Sequence, residues 1–202
     1  MTDLFEEKAK EWDANEMIKA LSSAVGASIL KQVNLDPSMH VMDFGAGTGL
    51  ITSQVAAQVK KVTAVDVSQA MLDKLSAKQD LNGKVETLCQ DIIEQPIEKT
   101  FDLIVSAMAM HHVQDTETMV RRFAEHLKPG AQIALADLDA EDGTFHPEGT
   151  EGVFHEGFAR EAFQKVLEDN GFTSVNFLTA HTIQKEERAY SVFLAVAKKA
   201  EL

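Results

Sequence analysis

The chain has 202 residues, 45% of them hydrophobic, and its 19 basic and 32 acidic residues leave a net charge of −13. This length fits one domain with a core large enough to fold without disulfides or a structural metal. The negative charge makes nucleic acid an unlikely partner, because the pairs Lys60-Lys61 and Arg121-Arg122 are too short to form a basic track. With a single cysteine, Cys89, the chain can form neither an intramolecular disulfide nor a cysteine-cluster metal site.

The first residues, Met1 to Glu7, lack the basic start and apolar core of a signal peptide. No apolar run approaches the roughly 20 residues that a membrane helix needs. We therefore expect a cytoplasmic chain without a membrane segment. Cys89 lies in an apolar strand pattern and is expected to be a buried small hydrophobe, which argues against chemistry that needs a reactive thiolate.

The segment Met1–Val33 is predicted to be helical, because its apolar residues recur near the helical period. The strand Met39–Phe44 then runs directly into the alternating glycines Gly45, Gly47 and Gly49. Glycines at the carboxyl end of a strand let a ligand approach the backbone closely. A dinucleotide fingerprint would need a small residue at Leu50, and the carboxylate of Asp43 would repel a pyrophosphate but suit a cation.

Apolar runs alternate with amphipathic stretches along the rest of the chain, which is typical of an α/β sheet with helices on both faces. Helices are expected after the first, second, fourth and fifth strands. The stretch Leu138–Gly157 is rich in Asp, Glu, Gly and His, and we expect it to be irregular and either functional or mobile. The strands that follow the first are predicted at Lys61–Asp66, Lys84–Leu88, Leu103–Ala107, Gln132–Asp137, Val175–Thr179 and Ser191–Ala197.

Two further acids follow predicted strands. Asp66 could accept hydrogen bonds from ribose hydroxyls, and Asp91 could meet an adenine amino group. Each acid taken alone could instead cap a helix or a turn, since Ser68 and the residues after it open a helical pattern.

Asp43, the glycines, Asp66 and Asp91 together resemble the cofactor pocket of the Rossmann-like (class I) S-adenosylmethionine-dependent methyltransferases of the small-molecule type. Phe101–Ser106 with His111-His112-Val113 is similar to that family's fourth strand and following loop, and Leu127–Ala131 is similar to its turn into the fifth strand. The resemblance covers roughly Phe5 to Lys198. It implies a three-layer α/β/α sandwich whose seven-stranded, mostly parallel sheet has its last strand inserted antiparallel between its neighbours.

The resemblance also implies S-adenosyl-L-methionine as cofactor and S-adenosyl-L-homocysteine as product. Phe5–Asp13 is similar to the N-terminal segment that covers the cofactor in many small-molecule members. We therefore expect a single domain, 1–202, with a helical lid at 1–33 and an irregular insert at 138–157. The implied cofactor contacts are Trp12, Asp43, Gly45, Ala46, Gly47, Asp66, Val67, Met71, Asp91, Ile92 and Ser106.

Methyl transfer by in-line displacement needs a base only where the acceptor must lose a proton. The candidate bases are His111 and His112, after the fourth strand, and His155 in the irregular stretch. A packing role is the alternative for each of them. The segment at His155 is similar to a His-Gly-Phe stretch in related methyltransferases, although Glu156 stands where those relatives often carry a second histidine.

A metal site is not predicted. His146, His155 and the nearby acids Asp137, Asp139, Glu141 and Asp142 match no ligand spacing, and an acidic solvated loop explains them better. Ser106-Ala107-Met108-Ala109 stands where an Asn/Asp-Pro-Pro-aromatic motif would be needed for adenine-N6 or glutamine-amide methylation.

The leading prediction is a methyltransferase that acts on a small molecule. The alternatives left open are a tRNA or protein methyltransferase, a non-catalytic module that binds the same cofactor, and, by fold, a nicotinamide oxidoreductase. The sequence does not determine the acceptor or the oligomeric state, because a fold hosts many substrates.

Overall fold

The computed structural model describes residues 3–201. Met1, Thr2 and Leu202, and with them the outermost residues of the predicted lid and domain, lie outside the described residues. The described chain forms a seven-stranded sheet in the order β3-β2-β1-β4-β5-β7-β6. The strands are β1 (His40–Phe44), β2 (Lys61–Asp66), β3 (Val85–Cys89), β4 (Phe101–Ala107), β5 (Leu127–Leu138), β6 (Phe172–Lys185) and β7 (Arg188–Lys199).

The sheet is parallel except for β7, which pairs antiparallel with both β5 and β6. The predicted fold, with its inserted antiparallel last strand, is thus confirmed. Strand order reverses between β1 and β4, which pair in parallel with Val41 beside Leu103. A ligand crevice forms beyond the carboxyl ends of the strands at such a reversal. The residues that follow β1 and β4 therefore face the same crevice.

Both faces of the sheet are covered by helices. Neighbouring residues of one strand enter opposite cores: Val41 packs in one apolar cluster, and Met42 packs in the other. This alternation gives the continuous apolar strands expected of a parallel sheet buried on both sides. The predicted helices after β1, β2, β4 and β5 are confirmed. They are α3 (Leu50–Ala56), α4 (Gln69–Ser76), α5 (Thr116–Glu125) and α6 (Arg160–Asp169).

The N-terminal segment is broken rather than continuously helical. A short helix α1 (Glu6–Ala9) is followed by a 3₁₀ turn at Trp12–Ala14 and by the long helix α2 (Glu16–Gln32). The break has a local cause, because the Oδ1 atom of Asn15 accepts hydrogen bonds from the backbone N–H groups of Met17 at 3.0 Å and Ile18 at 3.2 Å. Asn15 therefore starts a new helix as its N-cap.

Two expectations about strands need correction. Strand β6 was expected at Val175–Thr179 but extends over Phe172–Lys185, because it pairs with β7 in a long hairpin closed by Glu186 and Glu187. Cys89 was expected to be buried but is exposed. The apolar pattern around Cys89 suggested burial, but Cys89 ends β3, the strand at one edge of the sheet, which has β2 as its one neighbour. The end of an edge strand is less covered than a central strand.

The irregular stretch is confirmed between Ala140 and Gly157, where the chain forms neither helix nor strand. Its start is two residues later than expected, since Leu138 still belongs to β5 and Asp139 forms a single bridge with Phe158. Across residues 3–201 no helix combines the length and the apolar character needed to cross a membrane.

Candidate active site

The turn between β1 and α3 is shaped by its glycines. Gly45, Gly47 and Gly49 have φ angles of 66°, 55° and 83°, a left-handed conformation that side chains other than glycine rarely adopt. A Cβ atom added to Gly47 would meet no atom within 4 Å, whereas one added to Gly45 would lie 2.2 Å from the Cβ atom of Ala109. The turn thus has an open space over Gly47, whereas Ala109 closes the space beside Gly45.

Two carboxylates hold the turn. Asp43 is 1% exposed and accepts a hydrogen bond from the hydroxyl of Thr52 at 2.5 Å. Burial raises the pKa of Asp43 to about 7, although the bond from Thr52 acts in the opposite direction. Asp66, at the end of β2, accepts from the backbone N–H of Gly47 at 2.7 Å and from that of Ser68 at 2.9 Å. Burial also raises the pKa of Asp66.

Asp66 is not the cap of helix α4. That position belongs to Ser68, whose hydroxyl accepts a hydrogen bond from the N–H of Met71 at 3.2 Å. Val67, between the two, is 62% exposed and is one of the few large apolar side chains on the surface of the described chain. Asp91 is also exposed, and its carboxylate closes a turn by accepting from the N–H of Ile93 at 2.9 Å. Asp66, Val67 and Asp91 therefore border one end of the crevice.

Other predicted cofactor contacts are buried beneath this surface. Met71 and Ile92 are core residues at 2% and 0% exposure. The Ser106 hydroxyl, also fully buried, donates to the carbonyl of Phe44 at 2.8 Å and ties β4 to β1. These three side chains support the floor of the crevice, and Ala46, at 9% exposure, is a nearly buried part of the turn.

The N-terminal segment lies over the glycine turn. The carboxylate of Asp3 accepts from the hydroxyl of Ser68 at 2.8 Å, and that of Asp13 accepts from the hydroxyl of Thr48 at 2.5 Å. Asp13 also pairs with Lys78 at 2.9 Å. Phe5 packs edge-on against Trp12, with the ring centroids 6.5 Å apart. These contacts anchor the segment on both sides of the crevice.

The end of β4 brings a second group of side chains to the same crevice. Met108 has a φ angle of 57°, which is unusual for a residue other than glycine, and Ala109 then packs against Gly45. Such strained positions occur often at functional sites. A 3₁₀ turn at Met110–His112 follows, so His111 and His112 come two and three residues after Ala109, the residue that packs against Gly45.

Three imidazoles and a carboxylate form what we call the histidine cluster: His111, His112, His146 and Asp137. The Nδ1 atom of His111 lies 2.7 Å from Oδ1 of Asp137, and its Nε2 atom lies 3.2 Å from Nε2 of His146. The rings of His111 and His112 are 4.1 Å apart between centroids. His112 binds the carbonyl of Gly152 through Nδ1 at 2.6 Å. The cluster joins β4, β5 and the irregular stretch.

Burial favours the uncharged form of two histidines in this cluster, His112 and His146. Desolvation, together with the charge that His111 can carry, lowers the pKa of His112 to about 4. The same two causes lower the pKa of His146 to about 4. His111 and Asp137 are 2% and 0% exposed, whereas His146 is partly exposed. A neutral imidazole with access to solvent can accept a proton.

His155 stands apart from the cluster. Its Nε2 atom lies 2.9 Å from the carbonyl of Val113 and 3.2 Å from the hydroxyl of Thr116. These bonds join the irregular stretch to the start of α5. His146 and Asp137, which their sequence positions suggested only as metal ligands, instead lie beside His111. Within residues 3–201, no group of three or more His, Cys, Asp or Glu side chains is arranged to hold a metal ion.

A doubly wound sheet, an open glycine turn at its strand reversal and an acid at the end of β2 together define a protein that binds a nucleoside-type cofactor. The residues fit a nucleoside that carries a cation: Gly47 leaves room for it, Asp66 offers carboxylate oxygens, Val67 offers apolar surface, and the buried acid Asp43 lies below.

Comparison with known proteins identifies the family. A family model described as a methyltransferase domain matches residues 41–130. An uncharacterized methyltransferase of Geobacillus sp. strain WCH70 is 30% identical over 161 residues, which are 72% of this chain and 75% of that protein. One from Schizosaccharomyces pombe is 31% identical over 135 residues, 59% of this chain and 48% of its own length. The chain thus spans about half of that yeast relative.

Solved structures agree in fold. A Haloferax volcanii methyltransferase, solved in complex with the Trm112 methyltransferase activator, matches with a TM-score of 0.83 at 16% identity and 100% coverage of both chains. Phosphoethanolamine N-methyltransferase 2 of Haemonchus contortus, in complex with S-adenosyl-L-methionine, has a TM-score of 0.74 at 18% identity, covering 87% of this chain and 52% of that one.

The chain belongs to the Rossmann-like S-adenosyl-L-methionine-dependent methyltransferases. S-adenosyl-L-methionine is the methyl donor of this family, and the predicted family, fold and cofactor are confirmed.

Proposed function

We propose that this chain transfers a methyl group from S-adenosyl-L-methionine to a small-molecule acceptor. The observation that carries the proposal is the contact of Ala109 with Gly45, because it brings the end of β4, and with it the histidine cluster, beside the turn that would hold the donor. Donor and acceptor would thus share one crevice beneath the N-terminal segment.

In this proposal, Asp66 accepts the ribose hydroxyls, Val67 and Asp91 take the adenine, and the backbone at Gly45 and Gly47 approaches the rest of the donor. Trp12 and Phe5 cover it from the N-terminal side. When bound, the cofactor supplies a methyl group already activated on a sulfonium. Since the transfer disperses a positive charge rather than creating a new one, the protein acts chiefly by alignment, which can lower the barrier by about 7–11 kcal/mol.

Water must be kept from the reacting atoms, and the N-terminal segment fits that role. Asp3 and Asp13 fasten it to Ser68 and Thr48, and its Phe5 ring packs against His112 with centroids 5.3 Å apart. The lid role is therefore supported by contacts with both the donor side and the acceptor side. Among the predicted bases, we propose that His112 borders the acceptor, that the buried His111 lies behind it, and that His155 positions the irregular stretch.

Calorimetry tests the donor. S-adenosyl-L-methionine and S-adenosyl-L-homocysteine should bind in the micromolar range or tighter, and tighter binding of NAD than of either would overturn the proposal. A screen of small acceptors with methyl-labelled donor then tests turnover. Binding without transfer to any acceptor or cellular fraction would favour the alternative of a binding module without catalysis.

One comparison favours a second possibility for partners. The Haloferax volcanii relative is solved with the Trm112 activator, so an activator protein of that kind is a candidate partner for this chain too. Coexpression with a Trm112 protein and gel filtration would test it, with the labelled screen repeated on the complex. A tRNA or protein acceptor would label in that screen. The net charge of −13 weighs against tRNA, and a cytoplasmic location stays a prediction.

A further inference from the structure

His146 reaches the histidine cluster from the irregular stretch and is held there firmly. Its neighbour Phe145 is 7% exposed and packs edge-on against Tyr190 with ring centroids 5.2 Å apart. The ammonium of Lys185 lies 4.0 Å from the Phe145 ring centroid and donates to the Phe145 carbonyl at 2.7 Å. These contacts fix the backbone at His146, so its contact with His111 does not depend on a loose loop.

The hydrogen bonds assign the protons in this cluster. Asp137 already accepts from the backbone N–H of Leu138 at 2.7 Å and that of His111 at 3.1 Å. A carboxylate accepts only, so the Nδ1 atom of His111 carries the proton of their 2.7 Å bond. The Nε2 atom of His111 is then a lone pair, and the 3.2 Å contact requires that His146 donate from its own Nε2.

This assignment leaves the Nδ1 atom of His146 as a lone pair. Within residues 3–201, Nδ1 has no hydrogen-bond partner, and the side chain is partly exposed. His112 and His146 are both partly exposed and each keeps one ring nitrogen as a lone pair, but among these two only His146 is hydrogen-bonded to His111. His146 is therefore the ring that can both meet an acceptor and pass a proton to His111, which is 2% exposed and has both ring nitrogens engaged.

Resting on the proposed function, we propose that His146 takes a proton from a hydroxyl or ammonium acceptor and passes one on to His111, whose charge Asp137 stabilises. The acceptor's O–H or N–H bond breaks as a bond forms to Nδ1 of His146. The Nε2–H bond of His146 breaks, and that proton binds Nε2 of His111. The electron pair freed on the acceptor forms the bond to the methyl carbon, and the pair of the broken carbon–sulfur bond stays on the departing sulfur.

The surrounding charges direct the proton to His111. His146 is faced by His111 and His112, with Lys8 and Lys185 nearby, and these groups disfavour a positive charge on its ring. The acid next to this segment, Glu141, is engaged by the backbone N–H groups of Thr144 and Phe145. His111 instead faces the buried carboxylate of Asp137. Burial and these charges lower the pKa of His146 to about 4, which keeps its ring neutral at neutral pH but makes it a weak base. A proton taken up there is therefore not retained and moves on to His111.

This relay narrows the acceptor class. A thioether or a tertiary amine has no proton to lose and would need no such base, whereas an alcohol, a phenol or a protonated amine would. The acceptor inferred here is therefore a small molecule with a proton on the atom to be methylated. In this relay His146 would be the catalytic residue, and His111 and Asp137 would be positioning residues that act through it.

Nitrogen-resolved NMR of the full chain with ¹⁵N-labelled histidine tests the relay without any acceptor. The seven histidines are assigned by single His→Gln variants. At pH 7.5, His111 should carry its proton on Nδ1 and His146 on Nε2. On acidification, His111 should be the first ring of the cluster to hold two protons. Asp137→Asn should weaken that protonation at least tenfold, whereas His181→Gln, a change on β6, should leave it unaltered.

Opposite results overturn the proposal. A proton on Nε2 of His111, first protonation at His146, or an unchanged titration in Asp137→Asn would each do so. A merely structural cluster with the same hydrogen bonds would show the same tautomers, so kinetics with an acceptor distinguishes it from a relay. Spectra are recorded with and without S-adenosyl-L-homocysteine. Because the tautomers can be read in the free protein, the relay is tested separately from the proposed methyltransferase function. If calorimetry shows no binding of that nucleoside, the proposed function fails while the relay is still measured.

Kinetics with the acceptor found in the labelled screen gives a second arm. The variant His146→Gln keeps a donor for His111 but cannot take up a proton. It should lower kcat by 10²-fold or more, in the range of general base catalysis, and leave S-adenosyl-L-homocysteine affinity within twofold. The acidic limb of the kcat–pH profile should vanish with it. An unchanged kcat, or an equal loss in His181→Gln, would contradict a role of His146 in the reaction.

Discussion

The donor side and the acceptor side of the crevice are built in different ways. The donor side comes from consecutive pieces of chain, β1 with its glycine turn and β2 with Asp66. The histidine cluster on the acceptor side joins residues from the 3₁₀ turn after β4, from β5 and from the irregular stretch, up to 35 positions apart in the contact of His111 with His146. A short motif in the sequence encodes the donor side, whereas no short motif encodes the histidine cluster, which the fold assembles. The chemistry of the acceptor side can therefore change without disturbing the donor side.

The largest effects should come from the glycine turn. Gly45→Ala should lower the free energy of unfolding by about 2–4 kcal/mol, because the new Cβ overlaps Ala109 at 2.2 Å and φ is 66°. Gly47→Ala should lower it by only about 1–2 kcal/mol, the penalty of a left-handed alanine. Both should abolish S-adenosyl-L-homocysteine binding, since the Gly47 Cβ would fill the open space. Urea unfolding and calorimetry measure both quantities, and equal stability losses would show the wall at Gly45 to be unimportant.

A pH-dependent effect should follow from Asp43. Its pKa is raised from 3.8 to about 7 in the folded chain, so folding is favoured by the protonated form. The stabilisation is fully present below about pH 4 and is lost as pH rises through about 7, a change of up to about 4 kcal/mol. Asp43→Asn should remove this dependence. Urea unfolding between pH 4 and 8 should show the wild type losing stability relative to the variant, and parallel curves would contradict the burial of a titrating Asp43.

Asp66 should matter mainly for binding. Asp66→Asn should weaken S-adenosyl-L-homocysteine binding by about 1–3 kcal/mol, because a charged acceptor of hydroxyl groups is lost from a desolvated position. Asp73→Asn is the matched control, since Asp73 is exposed on the adjoining helix α4 and the change of net charge is the same. Calorimetry at one salt concentration compares the two. Equal losses of affinity in both variants would mean that the change in net charge, and not a hydrogen bond to Asp66, weakens binding.

The smallest effect should come from the lid. Asp13→Asn weakens the bonds to Thr48 and Lys78, and it should raise the dissociation rate of S-adenosyl-L-homocysteine a few-fold, about 0.5–1 kcal/mol. Glu7→Gln, which breaks only the exposed pair with Lys10, should have no such effect. Stopped-flow displacement gives the rates. If Asp13→Asn left the rate unchanged, the N-terminal segment would not retain the ligand through this contact.

The same contrast explains what the sequence could predict. The strands and the glycine turn were predicted because an apolar run, three glycines and an acid lie within a dozen residues. His146 was not assigned a catalytic role, because nothing near it in sequence indicates that Asp137 and His111 lie beside it. The long β6 was predicted too short for a related reason. In its outer half, 180–185, Ile183 is the one fully buried residue, and the polar residues around it hide the apolar pattern by which buried strands are identified.

The exposed Cys89 offers an experimental handle on this crevice. It is the single cysteine of the chain and pairs with Asp66 across β2 and β3, so a fluorophore attached there would sit at the donor rim. Burial and the negative charges of Asp66, Asp3 and Asp73 raise the pKa of the thiol, so labelling should proceed best in mildly alkaline buffer. One covalent dye could then report nucleoside arrival and lid movement in real time, without engineering a second site.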